Sequence, residues 1–144
     1  MYWIVTSPKD QLLAGQKTGT IGFDAEKPVQ QNMAQGDFVI AFSSFETTSG
    51  RPLDAFTALG RTAGTPWEQP EGPWAINRRI AYFSTIDLPL TTIHEELAYP
   101  EDLPQWREKT LFQVGTGDFL TIAEAMLPPP VFQKVQSVAE DRLL

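Results

Sequence analysis

Hydroxyls, indoles and guanidinium groups are the side chains of this sequence with the chemistry to hold a ligand. Ser43 and Ser44 end the stretch GDFVIAFSSF, in which Phe38 to Phe42 is apolar on both faces, as in a central strand. A buried strand that runs into two hydroxyls has two readings: it surfaces into a loop, or its end floors a pocket for something flat and polar. Trp67 and Trp74 lie in Gly64 to Trp74, a segment with three prolines and two glycines that reads as a loop, where no strand face accounts for an indole. Trp3 and Phe42 sit in apolar runs, where core packing competes with a role as aromatic plates. Arg78 and Arg79 are neighbours on an expected strand and so point to opposite faces. One goes to solvent, and the other meets a phosphate or a carboxylate. Aromatic faces, hydroxyls and a charged group together suit a ligand that is flat and polar.

Catalytic chemistry has no comparable constellation. His94, the lone histidine, lies in an acidic helix and reads as a surface residue. The chain contains no cysteine, which removes disulfides, thiolate nucleophiles and cysteine–zinc sites. Ser43 and Ser44 lack a nucleophile elbow, there is no glycine-rich phosphate loop, and Gly115-Thr116-Gly117 reads as a tight turn. Glu95-Glu96 and Glu101-Asp102 are more cheaply explained as solvated helix-end charges than as catalytic pairs. Trp106 and Phe112 read as core or seam residues. The expectation is a non-enzymatic protein with no metal and no cofactor.

The elements that must position these groups are short. Tyr2–Thr6 reads as a strand, followed by a helix capped by Ser7 and closed by Gly15. Residues 18–26 read as a loop and Pro28 to Ala34 as one or two helical turns. The strand Phe38–Phe42 is followed by a hairpin connection over residues 46–52 and its return at Leu53–Arg61. A strand follows at Arg78–Phe83, then Leu88–Leu90, a short helix at Ile93–Leu97, and strands at Leu111–Val114 and Phe119–Ile122. Thr121 with Glu124 resembles a capping box, and Val131, Val135 and Val138 recur at helical spacing. A C-terminal helix is therefore expected over about 129–143, beyond a core of about 1–127.

The 144 residues fit one domain, with 42% hydrophobic and 11% aromatic residues giving enough apolar surface for a core. No membrane span and no signal peptide are legible, and the composition suits a cytoplasmic protein. The formal net charge is −7, which disfavours nonspecific attraction to nucleic acid. Residues 1–79 carry seven basic and eight acidic groups and residues 80–144 four and ten, so the first half is nearly neutral.

The ordered set YWIV, GDFVIAFSS, LDAFTALGR, PWAINRRIAYF and the late FQVG resembles the EVE domain of the PUA-like superfamily, which also contains YTH and ASCH domains. Met33-Ala34-Gln35-Gly36-Asp37 matches the Met-x-x-Gly-Asp block expected in a bacterial branch. The resemblance spans residues 1 to about 127, with two departures. Phe23 to Val29 lacks the branch's His-Gly-Lys element, and Gln113 replaces the arginine of a Phe-Arg-x-Gly element.

The resemblance implies an α+β fold: a PUA-like small mixed β-barrel with short helices packed around it. It also implies a pocket that accepts a modified or extruded base, with nucleic acid as partner, whether DNA or RNA. Trp3, Phe42, Ser43, Ser44, Trp67, Trp74, Arg78 and Arg79 are the ligand-binding candidates. A small-molecule or protein-interaction module using the same pocket is the alternative, favoured by the acidity. A nucleic-acid-processing enzyme related to ASCH-type barrels is the third.

Overall fold

The structure is a computed structural model that describes residues 2–23, 34–45, 51–68, 76–97 and 111–141. Seven strands form one sheet: β1 (Tyr2–Thr6), β2 (Thr20–Phe23), β3 (Phe38–Phe45), β4 (Pro52–Glu68), β5 (Ile76–Tyr82), β6 (Leu88–Pro89) and β7 (Leu111–Val114). Their order is β2-β5-β4-β3-β1-β7, with β6 on the side of β4. β3 runs parallel to β1, with Tyr2 opposite Phe38 and Thr6 opposite Phe42, and antiparallel to β4. Four helices complete the described fold: α1 (Lys9–Thr18), α2 (Leu90–Ile93), α3 (Thr116–Met126) and α4 (Pro129–Asp141). A single 3-10 turn, His94–Glu96, follows α2.

Alternation along β1 and β3 divides the core between two faces. Tyr2, Ile4, Phe38, Ile40 and Phe42 meet Phe119, Ile122 and Met126 of α3, with Val135 and Ala139 of α4 behind them. Trp3, Val5, Val39 and Ala41 face the other way and pack with Leu12 of α1, Ile21 of β2 and Ile80 of β5. Each fully buried large apolar side chain contributes roughly 1.5–3 kcal/mol, so β3, covered on both faces, anchors the fold.

The sheet is open, not the closed barrel expected. β2 and β7 stand at opposite ends of the strand order, and no pairing among the described residues joins them. Helices cover both faces, so closure is not needed to bury the core. The two edges are only four residues long each, which limits their exposed backbone.

Several elements differ from expectation. α1 passes through Gly15 and ends at Gly19, which takes the left-handed conformation at φ 69°, and Ser7 makes no capping bond to the helix. Residues 20–23 are strand, because backbone pairing with β5 outweighs their weak local preference. β4 continues to Glu68, into the stretch expected to be loop. Phe119–Ile122 is helical: Phe119, Ile122, Ala123 and Met126 recur at the i, i+3, i+4, i+7 spacing that buries one face of α3. The short helix begins at Leu90 rather than Ile93. The expected turns at Pro28 to Ala34 fall, except for Ala34, outside the described residues.

Candidate functional site

The chain reverses at Ala34 to Asp37 to enter β3. Gly36 takes φ 88°, which L side chains avoid, and the Asp37 amide donates to the Ala34 carbonyl at 3.2 Å, the features of a type II turn. β4 holds this turn from the side. The Gly36 amide donates to the Thr62 carbonyl at 2.8 Å, and the Thr62 amide to the Asp37 carbonyl at 2.9 Å. The Thr62 hydroxyl donates to the Ala34 carbonyl at 2.8 Å, and Arg61 Nε to the Gly36 carbonyl at 3.2 Å.

So fixed, the Asp37 carboxylate is only 4% exposed. Its Oδ2 accepts from Trp3 Nε1 at 3.0 Å and from the Ala34 amide at 2.9 Å. Burial pushes the carboxyl up, but the Trp3 and Ala34 bonds, together with the positive charge of the chain's amino terminus, hold it below the ordinary aspartate value.

Arg78 reaches the same centre from β5. It is 2% exposed, and its Nη2 donates to the Gly64 carbonyl at 2.8 Å. Burial pulls the guanidinium below its ordinary value, and the Asp37 charge opposes that pull. A buried arginine costs several kcal/mol of desolvation unless a counter-charge offsets it, and Asp37 supplies one. Trp3, Asp37 and Arg78 thus form one buried polar centre where β1, β3, β4 and β5 meet.

The hydroxyl candidates lie elsewhere. Ser43 is six residues beyond Asp37 on β3, about 20 Å of extended strand. It is wholly buried, and its Oγ shares a 2.7 Å hydrogen bond with Thr57 Oγ1. Thr57 is the residue skipped where the β3–β4 register passes from Ala41–Ala58 to Phe42–Phe56, a bulge that brings its hydroxyl to Ser43. Ser44 is also buried, and its Oγ has no hydrogen-bond partner among the described residues. Phe42 packs against Phe56 at 5.3 Å between ring centres, in the helix-covered core and on the face opposite Trp3.

The remaining candidates divide. Arg79 is exposed, on the face of β5 opposite Arg78. The backbone of Trp67 lies in β4 opposite Asn77, while its side chain is outside the described residues. Trp74, Trp106 and Met33 also fall outside them. Two residues after Trp74, Ile76 opens β5 between Phe23 of β2 and Glu68 of β4. That is the opposite end of β4 from Ala55, the partner of Ser43. Trp3 and Arg78 therefore come together, and Ser43 and Ser44 stand apart from them.

Sequence reasoning missed Asp37, Thr57 and Thr62. The available signal was an aspartate directly ahead of a fully apolar strand, where a carboxylate has to be paired. Two surface grooves lie away from this centre, one lined by Glu96, Thr121, Glu124 and Ala125, the other running past Ile86, Met126 and Pro128. Among the described residues, no three His, Cys, Asp or Glu side chains group as metal ligands, and no helix is long and apolar enough to cross a membrane.

No family model matches the chain. It is 28% identical over 134 residues to a UPF0310 protein of Mycolicibacterium gilvum, covering 86% of this chain and 94% of that one. A UPF0310 protein of Mycobacterium avium is likewise 28% identical over 134 residues, with coverage of 86% and 96%. Among solved structures, a Pseudomonas putida protein superposes with a TM-score of 0.61 at 17% identity, covering 87% of this chain and 99% of that one. A Pseudomonas syringae protein gives 0.58 at 17% identity, with coverage of 85% and 97%. The YTH domain-containing protein mmi1, solved in complex with RNA, gives 0.51 at 12% identity, with coverage of 70% and 68%. At such identities the likeness speaks for fold alone, and the fold is PUA-like and YTH-like.

Proposed function

We propose that this protein is a nucleic-acid-binding module of EVE type that holds a modified or extruded base and performs no catalysis on it. The observation that carries the reading is the fold shared with a YTH domain solved in complex with RNA. The polar centre adds to it. A fixed carboxylate and a buried guanidinium lie where β1, β3, β4 and β5 meet, and β5 opens at Ile76, two residues after Trp74 in the sequence. In this reading Trp74 stacks on the base, and Trp3, Asp37 and Arg78 hold the walls behind it rigid. Preorganisation of that kind keeps the ordering cost of binding low. Ser43 stabilises the far end of β3 through Thr57 and reads no ligand edge.

Trp74→Ala is expected to weaken binding of a single-stranded oligonucleotide carrying a methylated base by about 1–3 kcal/mol, the worth of a base–aromatic stack. Ser43→Ala, compared after both variants are shown to fold, is expected to bind as wild type does. Equal affinity of Trp74→Ala and wild type for modified and unmodified oligonucleotides defeats the pocket. The net charge of −7 favours a second reading, a small-molecule or protein-interaction module using the same pocket. A neutral ligand would bind with almost no dependence on salt, which separates the two.

A further inference from the structure

Arg78 and Ile80 point into the core, so Arg79 and Ala81 occupy the opposite face of β5. Their register partners share that face. Arg79 lies between Thr20 of β2 and Ala63 of β4, and Ala81 lies opposite Arg61 of β4. The face continues the one that α3 and α4 cover over β1 and β3, but here it emerges from the core. Arg79 and Ala81 are exposed, and Thr20, Arg61 and Ala63 are half-buried. None of these five residues is acidic, in a chain of net charge −7.

The two arginines are poised for different contacts. Arg61 spends Nε on the Gly36 carbonyl and lays its guanidinium 4.9 Å from the centre of the Phe38 ring, which orients its two terminal nitrogens. The Arg79 side chain makes no ion pair or hydrogen bond among the described residues and keeps all its donors. Diagonal positions on adjacent antiparallel strands stand about 7–8 Å apart, so the two charges act as a pair on one surface. Ala63 and Ala81 between them leave the sheet low enough for a backbone to lie close. Guanidinium forks bind phosphate oxygens two at a time.

We infer that this face of β4, β5 and β2 is a contact surface for the phosphodiester backbone of a single-stranded nucleic acid, with Arg79 and Arg61 donating to phosphates. The inference rests on the proposed function and extends it to a surface on the other side of the sheet from the buried polar centre. Charge complementarity selects the occupant: a cationic, small-residue sheet face in an acidic protein fits a polyanion.

The test is the salt dependence of binding to a single-stranded oligonucleotide, measured by fluorescence anisotropy for wild type, Arg79→Gln, Arg79→Lys and, as a remote control on α4, Lys134→Gln. Loss of one phosphate contact lowers the log–log salt slope by about 0.7, roughly a fourfold loss of affinity at 0.15 M salt. Arg79→Gln is expected to show that loss, whereas Arg79→Lys and Lys134→Gln keep the wild-type slope. Binding by wild type with a slope that Arg79→Gln leaves unchanged overturns the surface and leaves the proposed function standing. Absence of binding by folded wild type at low salt overturns both.

Discussion

Asp37 holds more of the described site together than any other single residue. It accepts from Trp3 and Ala34 and faces the buried charge of Arg78. Asp37→Ala removes a carboxylate that offsets that charge and accepts the indole N–H, and is expected to destabilise the fold by about 3–5 kcal/mol, read as a lower urea midpoint. The pH dependence has a definite sign. The folded carboxyl titrates below its ordinary value of 3.8, so its stabilisation is complete well above that pH. It is lost as pH falls through 3.8 toward the lower folded value. Asp37→Asn is expected to flatten this acid arm of the stability curve, measured as urea midpoints between pH 2 and 6. An unchanged arm would mean that other carboxylates carry it. Ser43 and Thr57 offer a cleaner cycle. Ser43→Ala strands the buried Thr57 hydroxyl and is expected to cost about 1–3 kcal/mol, while adding Thr57→Val recovers part of that. Additive losses would show that the two hydroxyls do not depend on one another.

At the scale of elements, β4 connects most of the molecule: it pairs with β3, β5 and β6, and it grips the turn that fixes Asp37. Its pairing with β5 depends on Gly60, where an added Cβ would lie 2.6 Å from the Ala81 carbonyl oxygen and 2.7 Å from Ile80 Cγ1. The first neighbour is backbone and cannot swing away. Gly60→Ala is therefore expected to lower stability by about 1–3 kcal/mol in thermal unfolding. A wild-type melting temperature would show that the strands separate at little cost. Elements whose signal is local were legible in sequence: the continuous apolar run of β3 and the valine spacing of α4. α3 was misread because Phe119 to Ile122 alone looks like a strand, and its helical period emerges only across Thr116–Met126. β2 was missed because TIGF is short and becomes strand through its pairing with β5. Trp3 and Arg78 were legible as candidates by residue type. Their link through Asp37 was not, since Trp3 and Asp37 are 34 residues apart and meet only through sheet register.

For the whole molecule, one sheet face carries the α3–α4 core and then emerges as the surface of Arg61 and Arg79, while the other buries the polar centre. An acidic protein with this division is expected to bind a polyanion locally and with modest affinity, since the remaining charge opposes it. His94 opens the 3-10 turn after α2, and no metal-binding group forms among the described residues. His94→Ala is expected to leave oligonucleotide affinity and stability within about 0.5 kcal/mol. A selective loss of function with the fold intact would point instead to catalysis. Recognition of a modified base is tested most directly by calorimetric titration of the wild-type protein with one single-stranded oligonucleotide, in base-methylated and unmodified forms, at low and physiological salt. Saturable binding that weakens as salt rises and favours the methylated form at both concentrations is the expected result. Heats indistinguishable from dilution for both forms at low salt, with the protein shown to be folded, would contradict it.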